Sequence, residues 1–411
     1  MKNLFSWNSL DVKTLRKYIK KMERYSVKKN RRGFDLRSGS VLFRPKEIGS
    51  MIVKNRLVRS ATYEDMADYN GLVDNRYVAL YENLAKGGVG LIIAGFAFVK
   101  ENGIASNYQT GIHTDECIPM LKKSVETVHH VNGNVKFVLQ IAHCGRQVKP
   151  EMVKERKFEP LAPSPIADKS VGVIPNEMTI EDIKDVIQSF IMSAERAKRA
   201  DFDGVQLHAA HGYLLSEFLS PHINKRTDNY GGNTENRVRI IVEIFEGIKQ
   251  VCGKNWPVLI KLQVNDFVKE EPSLKPPESI KIAKRIAEAG FDAIEISGGI
   301  YESDEESDPW YLKIKKTSEE AYFLPYAKKI KKVIGDTPLI LVGGIRSFEV
   351  AERIVKDGHA DFVSMSRPLI MEPDLPNKWF NELSDKSTCI SCNRCDTEME
   401  DKGLRCLLLE E

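Results

Sequence analysis

Past residue 54, short runs of β-branched and aliphatic residues alternate with longer stretches whose apolar positions return every three or four residues. The runs predict strands at Asn55–Ala61, Val89–Val99, Lys136–His143, Phe202–Ala209, Trp256–Gln263, Phe291–Gly298, Thr337–Gly344 and Ala360–Arg367. The longer stretches predict helices near 76–87, 117–131, 179–200, 234–251, 277–289, 321–334, 347–357 and 373–383. Several strands, Leu91-Ile92-Ile93 and Leu339-Ile340-Leu341-Val342 among them, are apolar without alternation, which suits parallel strands covered on both faces. Thr179-Ile-Glu-Asp182 opens the third helix as a capping box. Eight strand–helix units in series predict an α/β fold: an eightfold (β/α) TIM barrel with long insertions after strands three, four and six. A doubly wound open sheet fits less well, because no Gly-x-Gly-x-x-Gly follows any of these strands.

Composition and charge alter this picture mainly at the two ends. The 411 residues are 42% hydrophobic and 29% charged, which is globular, and a net charge of +3 excludes a generic polyanion binder. Residues 1–33 hold eleven Lys or Arg against two acids, with Val12, Leu15, Ile19 and Met22 at helical spacing. This predicts a basic amphipathic helix, read as packing its apolar stripe on the main domain in preference to serving as an RNA- or membrane-surface arm. No apolar run reaches the ~18 residues of a membrane span, and the charged N-terminus lacks the apolar stretch of a signal peptide. Four of the seven cysteines crowd between Cys389 and Cys406, which is not a secreted disulfide framework and points to a reducing, cytoplasmic setting. The expected organisation is therefore a basic extension over 1–40, a barrel over 41–384 and a Cys-rich tail over 385–411. The insertion after strand six, acidic from Glu302 to Asp308, reads as a solvated loop.

Chemistry in a barrel sits where strands hand over to the following loops. Polar residues gather there: Thr62, Gln140, His143, His208, His211, Lys261, Ser297, Gly343-Gly344 and Ser366-Arg367. His208 and His211, three apart just past a strand, can both donate to one carbonyl oxygen. Zinc is the competing use of paired imidazoles, but no third ligand lies near in the sequence.

The stretch His208-Ala-Ala-His211-Gly-Tyr213 continues through Phe218-Leu-Ser-Pro221, Asn224, Arg226, Asp228, Tyr230-Gly-Gly232 and Asn236-Arg237. It resembles the longest motif of the old yellow enzyme family of FMN-dependent oxidoreductases. Lys54-Asn-Arg-Leu-Val58, Gln140-Ile-Ala-His143-x-Gly-Arg146, Gly343-Gly-Ile-Arg346 and Ser366-Arg-Pro368 extend the resemblance over roughly residues 41–406. The resemblance implies FMN as cofactor and NAD(P)H as reductant, with a small electrophilic substrate such as an α,β-unsaturated carbonyl. It assigns Ser60, Ala61, Thr62, Gly95, Gln140, Lys261, Gly343, Gly344, Ser366 and Arg367 to the flavin site. Glycines before a helix start let the backbone approach a phosphate, with Arg367 and Arg346 adding charge. Lys261 would lie near flavin N1 and the C2 carbonyl. His208 and His211 would polarise the substrate carbonyl, and Tyr213 would protonate the α-carbon.

Cys389-x2-Cys392-x2-Cys395-x10-Cys406 resembles in its location the iron–sulfur segment of the dienoyl-CoA reductase branch, whose middle and last gaps are one residue longer. The spacing suits four thiolates on a [4Fe–4S] cluster, with zinc or unligated thiols as alternatives. That branch continues with Rossmann domains, and the expectation here is the barrel part without them. The leading expectation is thus an ene-reductase-like flavoenzyme, its oligomeric state open and nucleic acid not expected as a partner. One rival is a tRNA dihydrouridine synthase-like barrel, prompted by the basic arm and using Cys144 as proton donor. The other is a barrel kept as a non-catalytic scaffold.

Overall fold

The computed structural model describes residues 37–410 apart from 132, 304–311, 398 and 400–401, so the predicted N-terminal helix and most of the acidic insertion lie outside the described residues. Eight parallel strands close a barrel: β1 (Leu57–Arg59), β2 (Leu91–Phe98), β3 (Lys136–Ala142), β4 (Gly204–Ala209), β5 (Val258–Gln263), β6 (Ala293–Ser297), β7 (Leu339–Leu341) and β8 (Phe362–Met365). Each falls inside a predicted run. The last strand pairs with the first, Met365 opposite Arg59, which completes the ring.

Eight helices follow the strands: α1 (Asn75–Lys86), α2 (Ile118–Val131), α3 (Ile180–Arg199), α4 (Thr234–Cys252), α5 (Pro276–Ala289), α6 (Leu324–Ile330), α7 (Phe348–Lys356) and α8 (Leu375–Phe380). Thr179 and Asp182 form the predicted reciprocal cap on α3. Two helices are shorter than their periodicity suggests. Ala321 holds a left-handed φ of 57°, which excludes it from α6, and Pro325 then fits the first turn. Pro376 likewise stands in the first turn of α8. Among the described residues no helix is long and apolar enough to cross a membrane.

A hairpin that the periodicity does not announce, Lys46–Ile48 with Met51–Val53, precedes β1. Its Ile48, Met51 and Val53 join Val58, Leu91, Ile93, Val138, Leu259, Ala293, Ile340 and Phe362 in a buried cluster that plugs the N-terminal mouth. Because strand side chains alternate in direction, the residues two further along face inward one layer higher. That layer is polar: Ser60, Gln140, Gln206, Lys261, Glu295 and Ser364. Two residues higher again stand Thr62, His208, Gln263, Ser297 and Ser366 at the C-terminal mouth. The larger apolar core lies outside the barrel wall, between strands and helices.

Candidate active site

The middle layer is one hydrogen-bonded network. Glu295, fully buried, accepts from Ser60 Oγ at 2.8 Å, Ser364 Oγ at 2.6 Å and Gln206 Nε2 at 3.0 Å. Lys261 Nζ lies 3.0 Å from Glu295 Oε2 and donates to Ser60 Oγ at 2.8 Å. Gln140 donates to Gln206 at 2.7 Å. Burial alone would raise the Glu295 pKa, but Lys261 and the three hydrogen bonds hold it below the usual carboxylate value.

Directly above stand the two histidines. Their rings lie 5.0 Å apart at 88°, and Tyr213 is 4.9 Å from His208. Phe96 closes the side, with its ring 6.0 Å from His208 and 5.1 Å from Tyr213. His208 sits on β4, while His211 adopts a left-handed φ of 68° that turns it back over the barrel. Gln263 accepts from the His211 backbone N–H at 2.9 Å, and Ser297 Oγ lies 2.6 Å from its Nε2. Burial, and then the positive charge of Lys261, hold both imidazoles well below their ordinary pKa, with His211 adding to the effect on His208. Both are therefore neutral donors. Burial pushes the Tyr213 phenol well above its ordinary value, so it keeps its proton. His208 Nδ1 is buried and no protein atom satisfies it. An orphaned nitrogen of this kind calls for a ligand oxygen or nitrogen.

The remaining predicted flavin residues divide. Thr62 Oγ1 lies 2.8 Å from Ser366 Oγ, which joins the ends of β1 and β8. Ala61, although next to Thr62 in the chain, is partly buried against the apolar cluster of the N-terminal mouth. Gly343 and Gly344 take φ values of 127° and 69°, in the range that favours glycine, and a Cβ on Gly344 would come within 2.8 Å of Ile314. Gly95 instead uses its N–H on Glu64 Oε1 at 2.7 Å, and its missing Cβ makes room for that carboxylate. Burial pushes Glu64 up to about 7. The two arginines face the tail: Arg346 donates to the Cys389 carbonyl at 3.0 Å, and Arg367 to Leu312 O and Asn393 Oδ1.

That tail packs past the ends of β7 and β8, where Ser387 Oγ and the Thr388 N–H donate to Glu372 and the Leu404 N–H donates to the Glu64 carbonyl. Cys389, Cys392, Cys395 and Cys406 line one cavity with Arg367, Asn393 and Leu407. Ser391 and Asn393, either side of Cys392, hold left-handed φ values of 57° and 68°, which curls the loop around that space. Burial, then the neighbouring cysteines, push the Cys395 thiol up to about 11. Among the described residues no three Cys, His, Asp or Glu side chains close on a single ion. The described part of the acidic insertion also departs from expectation. The Glu302 side chain, only 4% exposed, lies 3.1 Å from Arg146 and 2.9 Å from His222 and is held down to about 2 against its own burial. It is an internal anchor where a solvated acid was expected. Glu295, Gln206 and Phe96 were not singled out from the sequence, although a glutamate inside Ala293-Ile-Glu-Ile-Ser297 was a visible signal. A charge in an otherwise apolar strand has to find a partner.

The donor set suits a flavin: an amide at Gln140, a cation at Lys261, a hydroxyl at Thr62, two flexible glycines, and an unsatisfied imidazole nitrogen above them. Comparisons with known proteins agree. The chain is 37% identical over 354 residues to an NADH oxidase of Thermoanaerobacter brockii, covering 86% of this chain and 52% of that protein. It is 34% identical over 373 residues to a cinnamate reductase of Clostridium sporogenes, covering 86% and 54%. It therefore spans about half the length of the curated relatives it matches. A solved 2-naphthoyl-CoA reductase superposes with a TM-score of 0.79 at 30% identity, over 86% of this chain and 54% of that one. Morphinone reductase shares the fold, with a TM-score of 0.70 at 24% identity over 85% and 91%. Residues 41–386 match the model of the NADH:flavin oxidoreductase / NADH oxidase family, and the chain belongs to that family.

Proposed function

We propose that the chain forms an FMN-dependent oxidoreductase that uses NAD(P)H to reduce an α,β-unsaturated carbonyl or a similar small electrophile. The observation that carries this reading is the pair of neutral, buried imidazoles beside Tyr213, with His208 Nδ1 left for a ligand. FMN, when bound, supplies a ring that accepts electrons in pairs from the nicotinamide and passes them to the electrophile. Gln140 and Lys261 would hold its pyrimidine edge, Thr62 its other edge, and the Gly343-Gly344 and Ser366-Arg367 backbone its phosphate. His208 and His211 donate to the substrate carbonyl oxygen, which draws electron density from the β-carbon. Tyr213 holds a proton at its phenol for the α-carbon. Phe96 excludes water from the same face.

The Cys-rich segment would hold a [4Fe–4S] cluster through Cys389, Cys392, Cys395 and Cys406, supported by the one cavity that all four line. The chain's seven cysteines, all unpaired, support a reducing cytoplasmic setting. Cys144 is 1% exposed, with its thiol pushed well up by burial, which disfavours the tRNA-modifying alternative.

The test is the double substitution His208→Ala with His211→Ala, assayed anaerobically. FMN should stay bound and its reduction by NADH should fall little, while enone turnover should drop by about 3–5 kcal/mol of transition-state stabilisation. Wild-type enone turnover in the double variant would remove both histidines from the mechanism.

A further inference from the structure

A TIM barrel interior is ordinarily filled with branched apolar side chains. Here the layer beneath the histidines contains a carboxylate, a cation, two amides and two hydroxyls joined in one hydrogen-bonded network. Such a network is costly to bury, so its arrangement constrains what it does. Lys261 Nζ is pinned within the layer by Glu295 and Ser60, and both are buried. A lysine stem is flexible, and alone it would present a mobile point charge.

We propose that Glu295 is a positioning residue that fixes Lys261 under the flavin ring and offsets its charge, thereby setting the reduction potential of the bound FMN low. The inference rests on the reading that Lys261 meets the pyrimidine edge of the flavin. Reduction of FMN takes up two electrons and fewer than two protons at neutral pH, so the reduced ring carries more negative charge than the oxidised one. A lone cation beneath it favours the reduced form, and a cation tied to a carboxylate favours it less. Glu295 has no path to the substrate. Gln206, Ser60 and Ser364 surround its remaining lone pairs, and the His208 ring stands a layer higher. It therefore acts only through Lys261 and the field of the layer. Its ionised state fits this role, since Lys261 and three donors hold its pKa down.

The experiment measures the FMN midpoint potential of the full chain by dye-equilibrated reduction, following the flavin bands, in four forms: wild type, Glu295→Gln, Lys261→Gln and the double variant. Glu295→Gln keeps the side-chain shape and leaves Lys261 uncompensated. The equilibrium should move toward reduced flavin at least about tenfold, about 30 mV for a two-electron couple. Lys261→Gln leaves a bare carboxylate and should shift it at least as far the other way. The double variant, with neither charge, should return close to wild type. A purely structural role for Glu295 would change thermal stability and leave these potentials in place. If Lys261→Gln lowers the potential while Glu295→Gln leaves it within about twofold of wild type, the offsetting role is overturned and the placement of Lys261 stands. If neither single variant moves it, the placement of Lys261 is what fails. Should Glu295→Gln not fold, the double variant decides. Its equilibrium must lie at least about tenfold toward reduced flavin relative to Lys261→Gln alone, and equality would refute the proposal.

Discussion

Glu217 lies on the short helix Leu214–Leu219 that follows the second histidine, fully buried, with one carboxyl oxygen accepting from the Arg146 backbone N–H at 2.8 Å and the other unsatisfied. Burial pushes its pKa from 4.5 up to about 8, and the attraction of Arg146 offsets only part of the shift. In the unfolded chain the group loses its proton near 4.5, whereas the folded protein keeps it until about 8. Across that window the folded state binds the extra proton, so stability falls as pH rises. At about 1.4 kcal/mol per unit, the shift weighs against folding by about 1 kcal/mol at pH 5 and about 4 kcal/mol at pH 8. Glu217→Gln keeps the shape and the bond from Arg146 and removes the titration. Denaturant midpoints at pH 5 and pH 8, followed by circular dichroism, should show the variant near wild type at pH 5. At pH 8 it should be more stable by about 3–4 kcal/mol. A gain of equal size at both pH values, or a loss at pH 8, would refute the argument, because neither can come from a proton held only by the folded state.

Three further outcomes follow from the site. Tyr213→Phe should slow flavin reoxidation by an enone and spare reoxidation by a quinone, measured by stopped flow, because only the enone needs a proton at carbon; equal slowing would assign Tyr213 to packing. Ser297→Ala removes the hydroxyl 2.6 Å from His211 Nε2 and should lower enone kcat about fivefold to tenfold, about 1 kcal/mol, with FMN affinity unchanged. A weaker FMN complex would place Ser297 in cofactor binding instead. Cys392→Ser with Cys395→Ser should abolish any brown absorption of the purified protein and loosen the tail to proteolysis, while FMN reduction by NADH stays within about tenfold, or ~1.4 kcal/mol. Complete loss of that reduction in a protein still holding FMN would make the cysteine segment the route of the electrons.

The barrel was legible because each strand is buried on both faces, and continuous apolar runs such as Leu339-Ile340-Leu341 have few other uses. Strand ends were legible for the same reason, since polar residues interrupt those runs where they meet the mouth. The N-terminal hairpin escaped because strands of three residues carry no period. Of the polar layer, Ser60, Gln140 and Lys261 were read as site residues, and the other three escaped for a different reason. Gln206 lies eighty-nine residues and Ser364 sixty-nine residues from Glu295 along the chain, and only the fold of the barrel brings them together. Sequence spacing likewise placed Arg346 and Arg367 correctly at strand ends, but could not tell that both reach the tail.

The ring of strands also sets the order in which the chain can mature. β1 emerges early in synthesis and finds its second neighbour, β8, only after about three hundred further residues have been made. Until then both outer strands present open edges on which another chain could build, so a nascent barrel needs shielding. Glu295 receives one hydroxyl from Ser60, just past the first strand, and another from Ser364, within the last. Before closure its carboxylate can remain in water at no cost. A barrel closed one register out of place would turn Ser60 away from that carboxylate and cost it one of its hydrogen bonds, so the buried acid disfavours misregistered closure.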